Sequence, residues 1–271
     1  MIRALLVALL LAATAPCAVL AAPPGHAPWT ALLEAHVHPI DDGASTVVDY
    51  DGFARDRLAL NRYLDRLSAV TQADFDRWSA DEQLAFLINA YNAYTIALVL
   101  SGWPDLESIK DLGGFLRTPW EKRFFRLLGG RRSLDDVEHG LIRGSGRYNE
   151  PRIHFAVNCA SIGCPALRRE AYVGARLDAQ LEDQARRFLG DESRNRVTDD
   201  ALAVSPLFKW YREDFTAGWR GADSLAAFLA LYADALGPRR LDRATLEAGD
   251  LPVRFLDYDW ALNSASPPRE R

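Results

Sequence analysis

The stretch LAFLINAYNAYTIALVL, Leu84 to Leu100, is apolar on nearly every side once wound into a helix. A helix without a wet face belongs inside a protein core or inside a membrane. The run is short for a span, and Asn89, Tyr91, Asn92, Tyr94 and Thr95 would be costly in lipid. The stretch therefore predicts a buried central helix in a globular domain. Asn89 and Asn92 lie one turn apart on one face, so each needs a hydrogen-bond partner in the interior. Two roles are open to them: bonding the backbone of neighbouring loops, or lining a substrate pocket beside Cys159.

Upstream, Ser79-Ala80-Asp81-Glu82 has the form of a capping box, and Thr71-Gln72-Ala73-Asp74 has a similar one. Leu60, Tyr63, Leu64, Leu67 and Val70 recur at three and four, predicting an amphipathic helix over 53–70. Another short helix is expected over 27–38, with His36 and His38 near its end as a solvated pair. The chain opens with Met1-Ile2-Arg3 and the apolar run Ala4 to Ala13. Val19-Leu20-Ala21 then suits a signal peptidase cut, so 1–21 is expected to be a signal peptide and 22–46 a lead-in. Export to the periplasm or the outside follows from that reading, with no stable membrane span once the signal is removed.

Downstream, Phe124 to Leu134 reads as a hairpin turning at Gly129-Gly130. Ser133 with Asp136 caps a helix that carries Asp135, Glu138 and His139. Asp135 and His139, four apart, share a face, where a carboxylate can fix an imidazole's tautomer. The apolar run Ile153 to Val157 has strand character and ends in Asn158-Cys159-Ala160-Ser161. Further helices are expected over 177–189, 208–215 and 224–236, a hairpin over 196–204, and a closing strand near Val253 to Trp260. The dense aromatics from Phe208 to Trp219 read as core. Together these predict an α+β single domain, its central buried helix packed on a small, mainly antiparallel sheet.

The chain has 271 residues, 49% hydrophobic and 25% charged, with no linker or repeat dividing it. Removing the signal removes Arg3, so 32 basic against 37 acidic residues become 31 against 37. A net acidic protein of this kind is not expected to bind nucleic acid. No cofactor is expected either: Gly113-Gly114 and Gly129-Gly130 lack the residues that complete a phosphate loop.

The motifs LINAYNAYTI, SLDDVEHGLIR, IHFAVNCASIGCP and FLDYDWALN occur in this order. With them the chain resembles the family called domain of unknown function 547, over about Val47 to Asn263, followed by a disordered tail. The resemblance implies a mixed helix-and-sheet domain, often exported in bacteria. It implies no catalytic residues.

Three readings of the Cys159 region remain. In the first, Cys159 is the nucleophile of a papain-like or transglutaminase-like hydrolase or acyltransferase. His139 or His154 is its base, with Glu138, Asp135 or Asn158 orienting the imidazole, and the backbone near Ala160 and Ser161 holds the oxyanion. On a regular strand His154 and Cys159 point to opposite faces, which favours His139. The substrate would be a small molecule, a peptide or a cell-envelope component. In the second, Cys159 and Cys164 form a disulfide that staples a binding or structural module. In the third, His139, His154, Cys159 and Cys164 hold zinc.

Overall fold

The computed structural model describes residues 22–114, 117–236, 243–249 and 251–266. The expected signal peptide (1–21) and the end of the expected tail lie outside them. The central helix runs Ala80–Val99. Ser79 accepts from the Glu82 N–H while the Glu82 carboxylate takes the Ser79 N–H, so the predicted capping box forms. From Gln83 to Val99 all but one side chain is buried. No described helix is long and apolar enough to cross a membrane.

The helix Arg57–Ser68 packs beside it, and Ala27–His36 packs in turn on Arg57–Ser68. The single helix expected over 53–70 is two pieces, Tyr50–Arg55 and Arg57–Ser68, broken at Asp56. The first helix stops at His36, and Val37–Ile40 pairs antiparallel with Ser45–Val48. His36 is therefore not part of a solvated pair: it is buried, and Nε2 lies 2.8 Å from Asp56 Oδ2.

Instead of one sheet there are three small ones among the described residues. Phe125–Leu127 pairs with Gly130–Arg132, and Arg196–Val197 with Leu202–Val204, both antiparallel. Leu202–Val204 also pairs parallel with Val253–Phe255. Strands of two to four residues leave no long edge on which one sheet could grow, and helices segregated from such sheets make an α+β fold. In the first-named hairpin the left-handed residues are Leu128 (φ 52°) and Gly129 (φ 77°), one position earlier than the glycine pair suggests. Only Gly129 takes that conformation at no steric cost.

Two cores meet in the fold. One surrounds the central helix. The other is aromatic, with Phe155, Phe188, Phe208, Phe215 and Phe228 at ring separations of 4.8 to 6.4 Å. The helix expected over 208–215 is again two single turns, Leu207–Trp210 and Arg212–Phe215, with Tyr211 between them.

The segment joining the cores is not the strand expected at Ile153–Val157. It is a 3₁₀ turn, Pro151–Phe155, with Pro at its first position and the Glu150 side chain accepting from the Arg152 N–H. All five residues of the turn are buried, Arg152 and His154 included, so the polar and apolar alternation of the sequence, which reads as strand, has no counterpart in burial. Ile153 joins the first core and Phe155 the second.

Candidate functional site

A cleft of about 260 Å³ opens where the two cores meet. Asp135, Glu138, His139, His154, Cys159 and Cys164 all line it, beneath a rim that includes Trp120, Trp210, Tyr258 and Trp260. Thus the predicted acids, both predicted bases and the sulfurs do converge.

Glu138 and His139 sit on a turn wound wider than an α-helix, Asp136–Ile142, which has π-helical bonding. Such widened turns re-aim side chains and recur at functional sites. Ser133 and Asp136 cap it reciprocally, at 3.0 and 2.9 Å. Glu138 faces inward and is buried, while His139 stays largely exposed. His139 Nε2 stands 3.9 Å from Asp135 Oδ1, too far for a hydrogen bond. Its Nδ1 accepts instead from Arg143 Nη1 at 2.7 Å, since a guanidinium only donates. Burial raises the Asp135 carboxyl above its ordinary value although His139 opposes the shift.

His154 is set differently. Its ring is buried, stacks on Tyr211 at 3.8 Å, and places Nε2 2.6 Å from Asp214 Oδ2. Asp214 also accepts from Arg143 through Nε at 2.5 Å and Nη2 at 3.2 Å. Burial works to raise the Asp214 carboxyl, but the bonds from His154 and Arg143 hold it well below the usual carboxylate range. Burial lowers the His154 value, with Asp214 and Glu138 opposing. A neutral ring beside an ionised carboxylate must carry its proton on Nε2, so Nδ1 is a bare acceptor. Among the described residues Nδ1 has no hydrogen-bond partner, and neither has Glu138 Oε1, 3.9 Å away. The phenols of Tyr91 and Tyr211 flank that carboxylate, and burial followed by its charge pushes both well up.

The strand argument that favoured His139 falls with the strand itself. His154 comes from the 3₁₀ turn and Cys159 from the irregular run after it, and both line the same cleft. Sequence reasoning missed Asp214: an acid within Arg212–Phe215 resembles any surface helix residue, and only the fold brings it to His154. It also read Trp210 and Tyr211 as core, whereas Trp210 is 46% exposed at the rim.

The remaining candidates are placed behind the cleft. Asn89 donates to the Tyr172 carbonyl at 2.7 Å and accepts from its N–H at 2.9 Å. Asn92 does the same with the Ala156 carbonyl (3.0 Å) and the Asn158 N–H (2.8 Å). Both bond the backbone of neighbouring segments, and neither lines the cleft. Asn158 donates to the Pro165 carbonyl at 2.7 Å and accepts from the Ala160 N–H at 2.9 Å, so it shapes the turn, touches no imidazole and engages one N–H expected for an oxyanion. Ser161 is buried behind the sulfurs, its hydroxyl 3.1 Å from that of Tyr258.

Cys159 and Cys164 are joined as a disulfide, their Cα atoms 6.1 Å apart. Bonded to each other, the sulfurs are not the two thiolates a zinc site here would use. Among the described residues no three His, Cys, Asp or Glu side chains converge as metal ligands.

Residues 75–189 match the family model described as "Protein of unknown function, DUF547". The DUF547 match takes in the central helix, Glu138, His139, His154 and both cysteines, and ends before Asp214, Tyr258 and Trp260. No curated protein and no solved structure matches the chain.

Proposed function

We propose that the cleft is the active site of a thiol-dependent hydrolase or acyltransferase, described here in its oxidised form. What carries the reading is the bare Nδ1 of His154, its ring fixed by Asp214, in the wall of the cleft that Cys159 also lines. A dithiol reductant first converts the Cys159–Cys164 bond into two thiols and is itself oxidised to a disulfide. Nδ1 then takes the Cys159 proton, and the thiolate attacks an acyl carbon. The Tyr258 hydroxyl, 3.1 Å from Cys159 Sγ, is the donor placed to meet the oxyanion. As the bond to the leaving group breaks, Nδ1–H returns its proton to that group. Water or another acceptor then attacks the thioester, gives its proton to Nδ1, and the sulfur leaves as thiolate.

Its substrate would be a small molecule, a peptide or a cell-envelope component, and a leader at 1–21 would place the enzyme outside the cytoplasm. The test is labelling of the reduced chain, begun at Ala22, with a thiol-reactive acyl probe. Cys159→Ala should abolish labelling, and His154→Ala should slow it by about a hundredfold or more. Labelling that His154→Ala leaves unchanged would refute the assignment.

A second reading, a stapled binding module, is favoured by the disulfide itself. If alkylation finds no free thiol without reductant, and the reduced protein binds the same ligands but never labels, the module reading takes over.

A further inference from the structure

Two buried atoms face each other across the cleft wall with nothing between them: His154 Nδ1 and Glu138 Oε1, 3.9 Å apart. Their residues are 2% and 4% exposed. A buried polar atom without a partner is costly, and two in one place call for a shared explanation. Both are acceptors: Nδ1 because the ring proton faces Asp214, Oε1 because a carboxylate only accepts. Neither can satisfy the other. One group carrying at least two hydrogens can satisfy both.

The surroundings restrict that group further. Tyr91, Tyr211, Trp210, Tyr258 and Trp260 line the cleft, and aromatic faces attract cations: Trp260 already carries the Lys110 ammonium 3.5 Å from its ring centroid and Tyr211 the Arg143 guanidinium at 5.0 Å. The neighbouring acid, Asp135, adds a second carboxyl to the lining. The Arg143 guanidinium is engaged by Asp214, the His139 ring and the Tyr211 face. Carboxyl groups, a lone pair and ring faces favour a positive guest over a neutral one.

We infer that the cleft binds an organic ligand through a primary ammonium group, two of whose N–H bonds go to Glu138 Oε1 and His154 Nδ1 while its carbon stem lies against the aromatic rim. The inference rests on the reading of this cleft as a substrate site and deepens it. It describes the oxidised form, in which no thiol competes for Nδ1; in the reduced form an ammonium seated on Nδ1 occupies the proposed base and should slow Cys159 labelling.

The experiment titrates the oxidised full chain with n-pentylammonium, pentan-1-ol and pentyltrimethylammonium, followed by calorimetry and by the fluorescence of the rim tryptophans. Pentylammonium should bind at least about tenfold more tightly than the alcohol, which lacks the charge, and than the quaternary ion, which lacks N–H. Glu138→Gln should weaken it by about tenfold or more with the fold intact. If that variant does not fold, the three-ligand comparison on the unaltered chain still decides. Equal binding of the alcohol would mean a seat for water, and equal binding of the quaternary ion a ring cage alone. Either result, or no binding at all, overturns the inference. Nα-acetyl-lysine methylamide and leucine methylamide carry the ammonium on a side chain and at a chain end. At least one should bind, and the tighter identifies the source. Amine binding without probe labelling would sink the thiol chemistry and leave this inference standing, and labelling without amine binding would do the reverse.

Discussion

Two groups of buried polar side chains divide the interior between them. On one face of the central helix, Asn89 and Asn92 each pair one donor and one acceptor with the backbone of an irregular segment. Across the cleft, His154 and Glu138 are just as deeply buried, yet each keeps one atom without a partner. The amides resemble pieces of secondary structure supplied by side chains: they hold chain that has no ladder of its own. The imidazole and the carboxylate hold nothing with their free atoms. Complete satisfaction marks a brace, and incomplete satisfaction at the wall of an opening marks a place for a guest.

Substitutions can break or sharpen this contrast. The largest effect is expected from Asp214→Asn. The amide can donate to Nε2 and so turn the proton to Nδ1, which removes the base. Probe labelling should then fall by about a hundredfold or more while the melting temperature moves little. Next comes Asn92→Ala, which strands the Ala156 carbonyl and the Asn158 N–H in the core. A loss of about 2–4 kcal/mol is expected in denaturant unfolding. Asn89→Ala should cost a similar amount while leaving ammonium binding unchanged, because its partner segment at Tyr172 does not line the cleft.

A smaller, graded effect comes from acid. His26, buried against the Tyr63 hydroxyl, has its value lowered by burial from 6.5 to about 4, and burial lowers His154 as well. Below pH 6.5 the unfolded chain takes up protons that the folded chain refuses, so stability should decline from about pH 6.5 towards 4. Asp135, raised by burial, offsets part of this as one group against two; a melting temperature unchanged over that window would still count against neutral, buried imidazoles. The least effect is expected from His139→Ala. Its Nδ1 is already engaged by Arg143 and its ring is exposed, so labelling should change less than about threefold.

The central helix was legible because a run apolar all round leaves few alternatives, and its cap because Ser79 and Glu82 act locally. The fold class followed from such local signals. The turn at Pro151–Phe155 was not legible, since a short buried apolar run has the same composition as strand or helix, and the misreading displaced the favoured base from His154 to His139. The sulfur pair was open to both fates. Asp214 could not have been found at all, because its meeting with His154 spans 60 positions and is made only through tertiary packing.

That dependence has a kinetic meaning. Ile153 belongs to one core and Phe155 to the other, with His154 between them on a single turn. Neither half of the molecule can set the imidazole alone, because the turn that carries it is held by both cores. Ammonium binding followed during refolding should therefore set in only when both cores have formed, and earlier binding would show that one half suffices.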